Sequence, residues 1–140
     1  MEYSSEILYN RTSIYCTPAH RFGTDALLLA RFAVPRRDER AADLCSGCGV
    51  VALEWHDQGH RGPCLALEIQ PEASELLARA AADQDIGHIR PVCADLRSWV
   101  PGPGEASRYD LAACNPPYFA AGPQSPDPAR AAARHEGLCT

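Results

Sequence analysis

This sequence predicts an α/β fold: a parallel sheet of about four core strands with helices on both faces. Three observations carry the expectation. From residue 41 on, short apolar runs of strand length alternate with stretches of helical periodicity, the order that builds parallel sheets through right-handed crossovers. The first of these, "RAADLCSGCGVVALEWHDQG", passes from an apolar strand through glycines directly into a helix. A chain of 140 residues, 46% of them hydrophobic, suffices for one domain with a real core.

Taken in order, "ILYNRTSIYC" (7–16) holds two short β-prone runs around Asn10, a small hairpin. "GTDALLLARFAVP" reads as a helix, with Thr24 or Asp25 as its cap and Pro35 just past its end. The strand of "DLCSGCG" ends at Asp43, and Gly47 and Gly49 lead into the next helix. "CLALEIQ" (64–70) is a second buried strand. "PEASELLARAAADQDIG" is a helix opened by Pro71 and Glu72 and closed by Gly87; Ala73, Leu76, Leu77, Ala80 and Ala81 recur on one face. "HIRPVCADL" is a third strand, weakened by Pro91, and "VPGPGEAS" is a loop. "YDLAACNPPYF" is a fourth strand running into a stiff Pro-Pro loop. "AGPQSPDPARAAARHEGLCT" is a Pro-rich loop followed by an Ala/Arg helix.

Composition narrows the function classes. No apolar run approaches the ~20 residues that cross a bilayer, and the acidic start lacks the basic and apolar regions of a signal peptide, so a cytoplasmic protein without a membrane partner is expected. The seven cysteines are odd in number and scattered, which reads as reduced thiols, mostly small core residues. All 13 Lys+Arg positions are Arg, and the net charge is −5, so a nucleic-acid partner would need a local patch. Arg31, Arg36, Arg37 and Arg40 are the densest cluster and read as a solvated face.

In open parallel sheets, ligands bind beyond the carboxyl ends of the strands. Four candidate groups fall there. Asp43 precedes a turn in which Gly47 and Gly49 let backbone approach a ligand closely. Glu68 ends the second strand, where a carboxylate can accept both hydroxyls of a ribose. Asp95 ends the third, and Asn115 with Pro116 and Pro117 ends the fourth. Each has an ordinary explanation alone: a strand-to-helix turn, a solvated acid, a helix cap, a packed turn. Together at successive strand ends they suit a nucleoside cofactor. There is no G-x-G-x-x-G and no G-K-[ST], which argues against a dinucleotide or a nucleoside triphosphate.

"DLCSGCG", "ALEIQ", "CADL" and "NPPY" resemble the successive motifs of class I S-adenosylmethionine-dependent methyltransferases, in the branch that methylates conjugated amino nitrogens. "FGTDALLLARFA" before them and "ARHEGLCT" after them are similar to the tRNA(Val) adenine-N6 methyltransferase family, so the resemblance covers nearly the whole chain. It implies a Rossmann-like fold, S-adenosyl-L-methionine as cofactor, no metal, and N6-methylation of adenine in a tRNA anticodon loop. It divides the single domain into an N-terminal hairpin and helix (1–35), a cofactor-binding core (36–120), and a loop with the start of a helix (121–140). By position, Gly47 and Gly49 would approach the methionine part, Asp43 would support the turn, Glu68 would hold the ribose and Asp95 would meet the adenine. Thr24 and Asp25 would close the site. Cys45 stands where such turns carry a first glycine, so the turn is expected to differ there.

The implied chemistry assigns Asn115, Pro116, Pro117 and Tyr118 to catalysis, with Asn115 also beside the cofactor. The Asn115 side-chain oxygen and the Pro116 carbonyl would each accept one N–H of an aromatic amine. That would turn the nitrogen lone pair towards the methyl group, and the prolines would keep the acceptors fixed. Tyr118 would stack on the base, with Phe119 helping. The rival assignments are a protein-glutamine N5 methyltransferase, which shares N-P-P-Y but carries a larger helical domain upstream, and a DNA adenine methyltransferase, for which no DNA-recognition segment is visible. A metal or redox protein built on Cys45-Ser46-Gly47-Cys48 has no second pair at zinc spacing. A further expectation is that the chain is a cofactor-binding fragment without activity, because the family continues past "HEGLCT" with more strands.

Overall fold

A computed structural model describes residues 1–116. Its elements are β1 (Ser4–Ile7), β2 (Ser13–Cys16), α1 (Thr24–Phe32), β3 (Ala41–Leu44), α2 (Val50–Asp57), β4 (Cys64–Glu68), α3 (Pro71–Asp83), β5 (Ile89–Cys93) and β6 (Leu111–Cys114). The expected Ala/Arg helix lies outside the described residues, as do Pro117, Tyr118 and Phe119.

The four core strands form one parallel sheet in the order β5-β4-β3-β6. β3 is central and buried on both faces: Ala41 and Ala42 are small enough to pack there, and Asp43 is buried near its end. β5 takes the edge, the position that tolerates Pro91, since proline cannot donate to a ladder on both sides. One core cluster joins Ala41, Cys64, Ala66 and Ala113 of the sheet to Ala26 and Ala30 of α1, Leu53 and Trp55 of α2, and Leu76, Leu77 and Ala80 of α3. The last three are the stripe expected from sequence. Trp55 is fully buried and its indole N–H donates to the Ala33 carbonyl at 2.7 Å, which locks α2 to the end of α1.

Three local expectations change. The hairpin forms, but its first strand is Ser4–Ile7, and the Asn10 turn is held by Asp57, whose carboxylate accepts the N–H groups of Asn10 (2.8 Å) and Thr12 (3.0 Å). Neither Thr24 nor Asp25 caps α1; Gly23 is the N-cap, and no side chain bonds there. Helix α3 ends at Asp83 rather than running to Gly87. Asp85 takes the left-handed position (φ 56), a conformation that Asp tolerates, so the chain turns two residues before the glycine.

Candidate functional site

The chain runs outward from β3 through β4 to β5, then returns to the other side of β3 as β6. Such a reversal is a topological switch point, where open α/β sheets bind ligands. Along the carboxyl edge of the sheet the four groups expected from sequence therefore follow one another: Asp95, Glu68, the 45–49 turn and Asn115. The switch point falls between the turn and Asn115. A cavity of about 380 Å³, lined by Arg40, His88, Arg90 and Tyr109 among others, lies at the opposite end, where the strands begin. It is remote from these groups.

The turn is built on left-handed residues: Cys45 (φ 59), Gly47 (φ 57) and Gly49 (φ 90). At Gly49 an added Cβ would stand 2.4 Å from Leu77 Cδ1, so glycine is what lets α2 start against α3. At Gly47 an added Cβ would meet nothing within 4 Å, so backbone there faces open space. Cys45 itself enters the region that glycine enters freely, and the departure from glycine is absorbed as local strain of about 1–3 kcal/mol. Ser46 donates its N–H to the Leu67 carbonyl at 2.9 Å and so fastens the turn to β4. Its hydroxyl is buried without a hydrogen-bond partner. Sequence reasoning passed over Ser46; its place between Cys45 and Gly47 was the available signal.

Glu68 is not a solvated acid. It is 6% exposed, and its Oε1 accepts the Gly47 N–H and its Oε2 the Gln70 N–H, both at 2.8 Å. A carboxylate offers about four lone-pair positions, so two remain for further donors. Asp43 is 1% exposed and accepts the Ala52 N–H at 3.1 Å, which ties the end of β3 to the first turn of α2. Burial pushes its carboxyl up to about 8; the Ala52 hydrogen bond works against that shift, and the nearby Cys114 and Glu68 charges add to it.

Asp95 stands past the end of β5 and caps a short turn. Its Oδ1 accepts the Arg97 N–H at 2.9 Å, and its carboxylate pairs with the Arg97 guanidinium at 2.6 Å. That hydrogen bonding holds its carboxyl below the ordinary carboxylate range. Asn115 is half-buried and Pro116 exposed, directly after β6. Thr24 and Asp25 open α1 on the surface, with Asp25 folded back on Gly23, where an added Cβ would lie 2.7 Å from Asp25 Oδ1. The two cysteines of the C-x-x-C part company: Cys45 lies next to Cys114 of β6 in the sheet register, and Cys48 is buried in the core cluster with Cys16 of β2. Of the six cysteines described, Cys16, Cys48 and Cys64 are core residues, while Cys93 and Cys114 are exposed. Among the described residues, no group of three or more His, Cys, Asp or Glu side chains is placed to hold a metal, and no helix is long and apolar enough to cross a membrane.

Comparison with known proteins agrees with this architecture. The family model described as "Methyltransferase small domain" matches residues 6–132. A tRNA1(Val) (adenine(37)-N6)-methyltransferase from Aeromonas salmonicida is 34% identical over 125 residues, and its counterpart from Enterobacter sp. (strain 638) is 31% identical over 121. Each alignment covers 85% of this chain and 49% of the relative, so the chain spans about half the length of the curated relatives it matches. Among solved structures, Trm5b from Pyrococcus abyssi superposes with a TM-score of 0.62 at 17% identity, covering 86% of this chain and 35% of that one. The tRNA (uracil-54, C5)-methyltransferase of the same organism, in complex with S-adenosyl-L-homocysteine, gives 0.57 at 19% identity over 80% of this chain and 27% of that one. At such identities the superpositions establish the class I methyltransferase fold. With its switch-point glycine turn and a family match over nearly its whole length, the chain belongs to the methyltransferase small domain family.

Proposed function

We propose that the protein takes part in S-adenosyl-L-methionine-dependent N6-methylation of adenine in tRNA, at a position like the anticodon-loop adenine 37 of tRNA(Val). The observation that carries this reading is the alignment of the glycine turn, Glu68, Asp95 and Asn115 on adjacent strand ends around a switch point. The residues fit the cofactor. The open space at Gly47 admits a ligand against bare backbone, the Ser46 hydroxyl is an orphaned donor, and the spare lone pairs of Glu68 suit a pair of ribose hydroxyls. When bound, that cofactor supplies an electrophilic methyl group.

The chain's own residues do the rest. Gly47 leaves room for the methionine part, Gly49 shapes the turn from behind by seating α2 against Leu77, and Glu68, fixed by two backbone N–H groups, presents its acceptors without rearranging. Asp95 reads the adenine amino edge; to do so its carboxylate shares or releases Arg97. Thr24 and Asp25 border the site from the N-terminal segment. Asn115 and the Pro116 carbonyl accept the two N–H bonds of the substrate amine. Accepting both withdraws the nitrogen lone pair from the ring and leaves it free to attack. The part proposed for Pro117 is to stiffen this motif, and for Tyr118 with Phe119 to stack on the flipped base, a contact worth about 1–3 kcal/mol. A single-stranded loop lowers the cost of flipping. With the acidic net charge of −5, recognition rests on stacking and local arginines more than on a general field.

The names of the curated relatives favour tRNA over a protein glutamine as substrate. The test is methyl transfer from labelled S-adenosyl-L-methionine to unmodified tRNA, followed by nucleoside analysis. N6-methyladenosine is expected. Cofactor binding with no product on any tRNA would restrict the reading to cofactor binding.

A further inference from the structure

Two cysteines lie side by side across the switch point. Cys45 opens the glycine turn after β3, and Cys114 ends β6; in the sheet register Leu44 lies opposite Cys114, so Cys45 is one residue beyond alignment. That register sets Cys45 beside Cys114 on the neighbouring strand, and Cys114 is exposed while Cys45 is half-buried. Cys45 also holds a left-handed backbone (φ 59) where glycine would be unstrained. A strained non-glycine residue at a ligand-binding edge is the kind of outlier that points to a role. We infer that Cys114 and Cys45 form an oxidisable dithiol, in which a peroxide oxidises Cys114 and Cys45 resolves it as a disulfide.

The step balances. The Cys114 thiolate attacks one peroxide oxygen, an S–O bond forms, and the O–O bond breaks. Hydroxide leaves and takes the displaced proton as water, and the sulfur is oxidised by two electrons. Cys45 sulfur then attacks the Cys114 sulfenic acid, the S–S bond forms and the S–O bond breaks. The departing hydroxide carries off the Cys45 proton as a second water. The hydrogen bond from Cys45 pulls the Cys114 thiol down to about 7, which places the attacking form within reach of neutral pH. The other thiol contact, Cys16 with Cys48, involves two buried sulfurs and offers a peroxide no entry. Cys93 is exposed at the end of β5 but its sulfur faces the Ile69 carbonyl at 3.6 Å, which makes it an internal control. The product would join the glycine turn to the strand that carries Asn115.

The experiment treats the whole chain with one equivalent of hydrogen peroxide at pH 7 and maps its peptides without reduction. A Cys45–Cys114 cross-link that dithiothreitol reverses is expected. Cys45→Gly, which removes the thiol and relieves the strained backbone, should leave Cys114 as a sulfenic acid that dimedone traps. In the untreated chain, Cys114 should react with iodoacetamide at pH 7 about tenfold faster than in the urea-unfolded chain, from its larger thiolate fraction. The inference is overturned if peroxide modifies Cys93 while Cys114 stays a free thiol. It is equally overturned if Cys114 pairs with another cysteine, or if Cys45→Gly leaves the alkylation rate of Cys114 unchanged.

Discussion

Glu68 Oε1 accepts the backbone N–H of Gly47 at 2.8 Å, so the acid that ends β4 holds the glycine turn that follows β3. Its other oxygen holds Gln70, the residue before α3. Glu68→Ala should therefore destabilise the protein even without any ligand, by about 1–3 kcal/mol, because two N–H groups lose their acceptor at a buried position. Urea unfolding of the two chains measures this. Equal midpoints would mean that water replaces the carboxylate at no cost.

The two glycines of the turn should separate cleanly. Gly49→Ala combines a positive φ with a clash on Leu77 and should cost about 2–4 kcal/mol of stability. Gly47→Ala meets open space and should cost about 1 kcal/mol, chiefly from its φ of 57. Its larger effect should be on ligand affinity, since the added methyl group enters the space assigned to the cofactor. Thermal unfolding and calorimetric titration of both variants check the ordering.

Asp43 gives stability an alkaline limb. Its carboxyl titrates near 8 in the folded chain against 3.8 ordinarily, so between those values the folded chain holds a proton that the unfolded chain has lost. Its contribution is complete below the ordinary value and drains away as pH rises towards 8. Asp43→Asn keeps an acceptor for the Ala52 N–H and cannot ionise. Between pH 6.5 and 8 the natural chain should lose about 1–2 kcal/mol relative to this variant. Cys114 titrates in the same window with opposite sign, but both chains share it. A constant difference across the window would show that Asp43 is already ionised at pH 6.5.

On the acid side one contributing group is His56. Burial, then the charges of Arg61 and His88, push its imidazole down from 6.5 to about 4. It is neutral in the folded chain and hydrogen-bonded through Nδ1 to His88 Nε2 at 2.7 Å. Its contribution is present above 6.5 and lost as pH falls towards 4, where the unfolded chain has already taken up the proton. His56→Gln should cost more stability at pH 7 than at pH 4.5, read from unfolding midpoints. An equal cost at both would mean that His56 titrates normally in the fold.

What the sequence made legible follows from periodicity. The α3 stripe and the strand-glycine-helix switch are local signals, and both elements stand where they were expected. The cap of α1 was not legible, because Gly, Thr and Asp in succession are all acceptable caps and only the entering chain direction selects Gly23. The roles of Asp57 as anchor of the hairpin turn and of Glu68 as anchor of the glycine turn depend on contacts 45 and 21 residues apart, which no local pattern carries. The thiol contact across β3 and β6 was hidden for the same reason. It needs the strand order, and composition alone made these cysteines look like core residues.

The central claim is that the β3/β6 switch point binds S-adenosyl-L-methionine with Glu68 on its ribose. Calorimetric titration of the protein and of Glu68→Gln with S-adenosylhomocysteine tests it most directly. The amide of the variant keeps an oxygen for the Gly47 N–H but sets its NH2 against the Gln70 N–H, so urea unfolding of both chains is measured alongside to separate a weakened turn from a lost charged acceptor. The account requires one saturable site in the natural chain and an affinity lower by about 10- to 100-fold in the variant, equivalent to about 1–3 kcal/mol. No binding by the natural chain, or equal affinity in both, would contradict it.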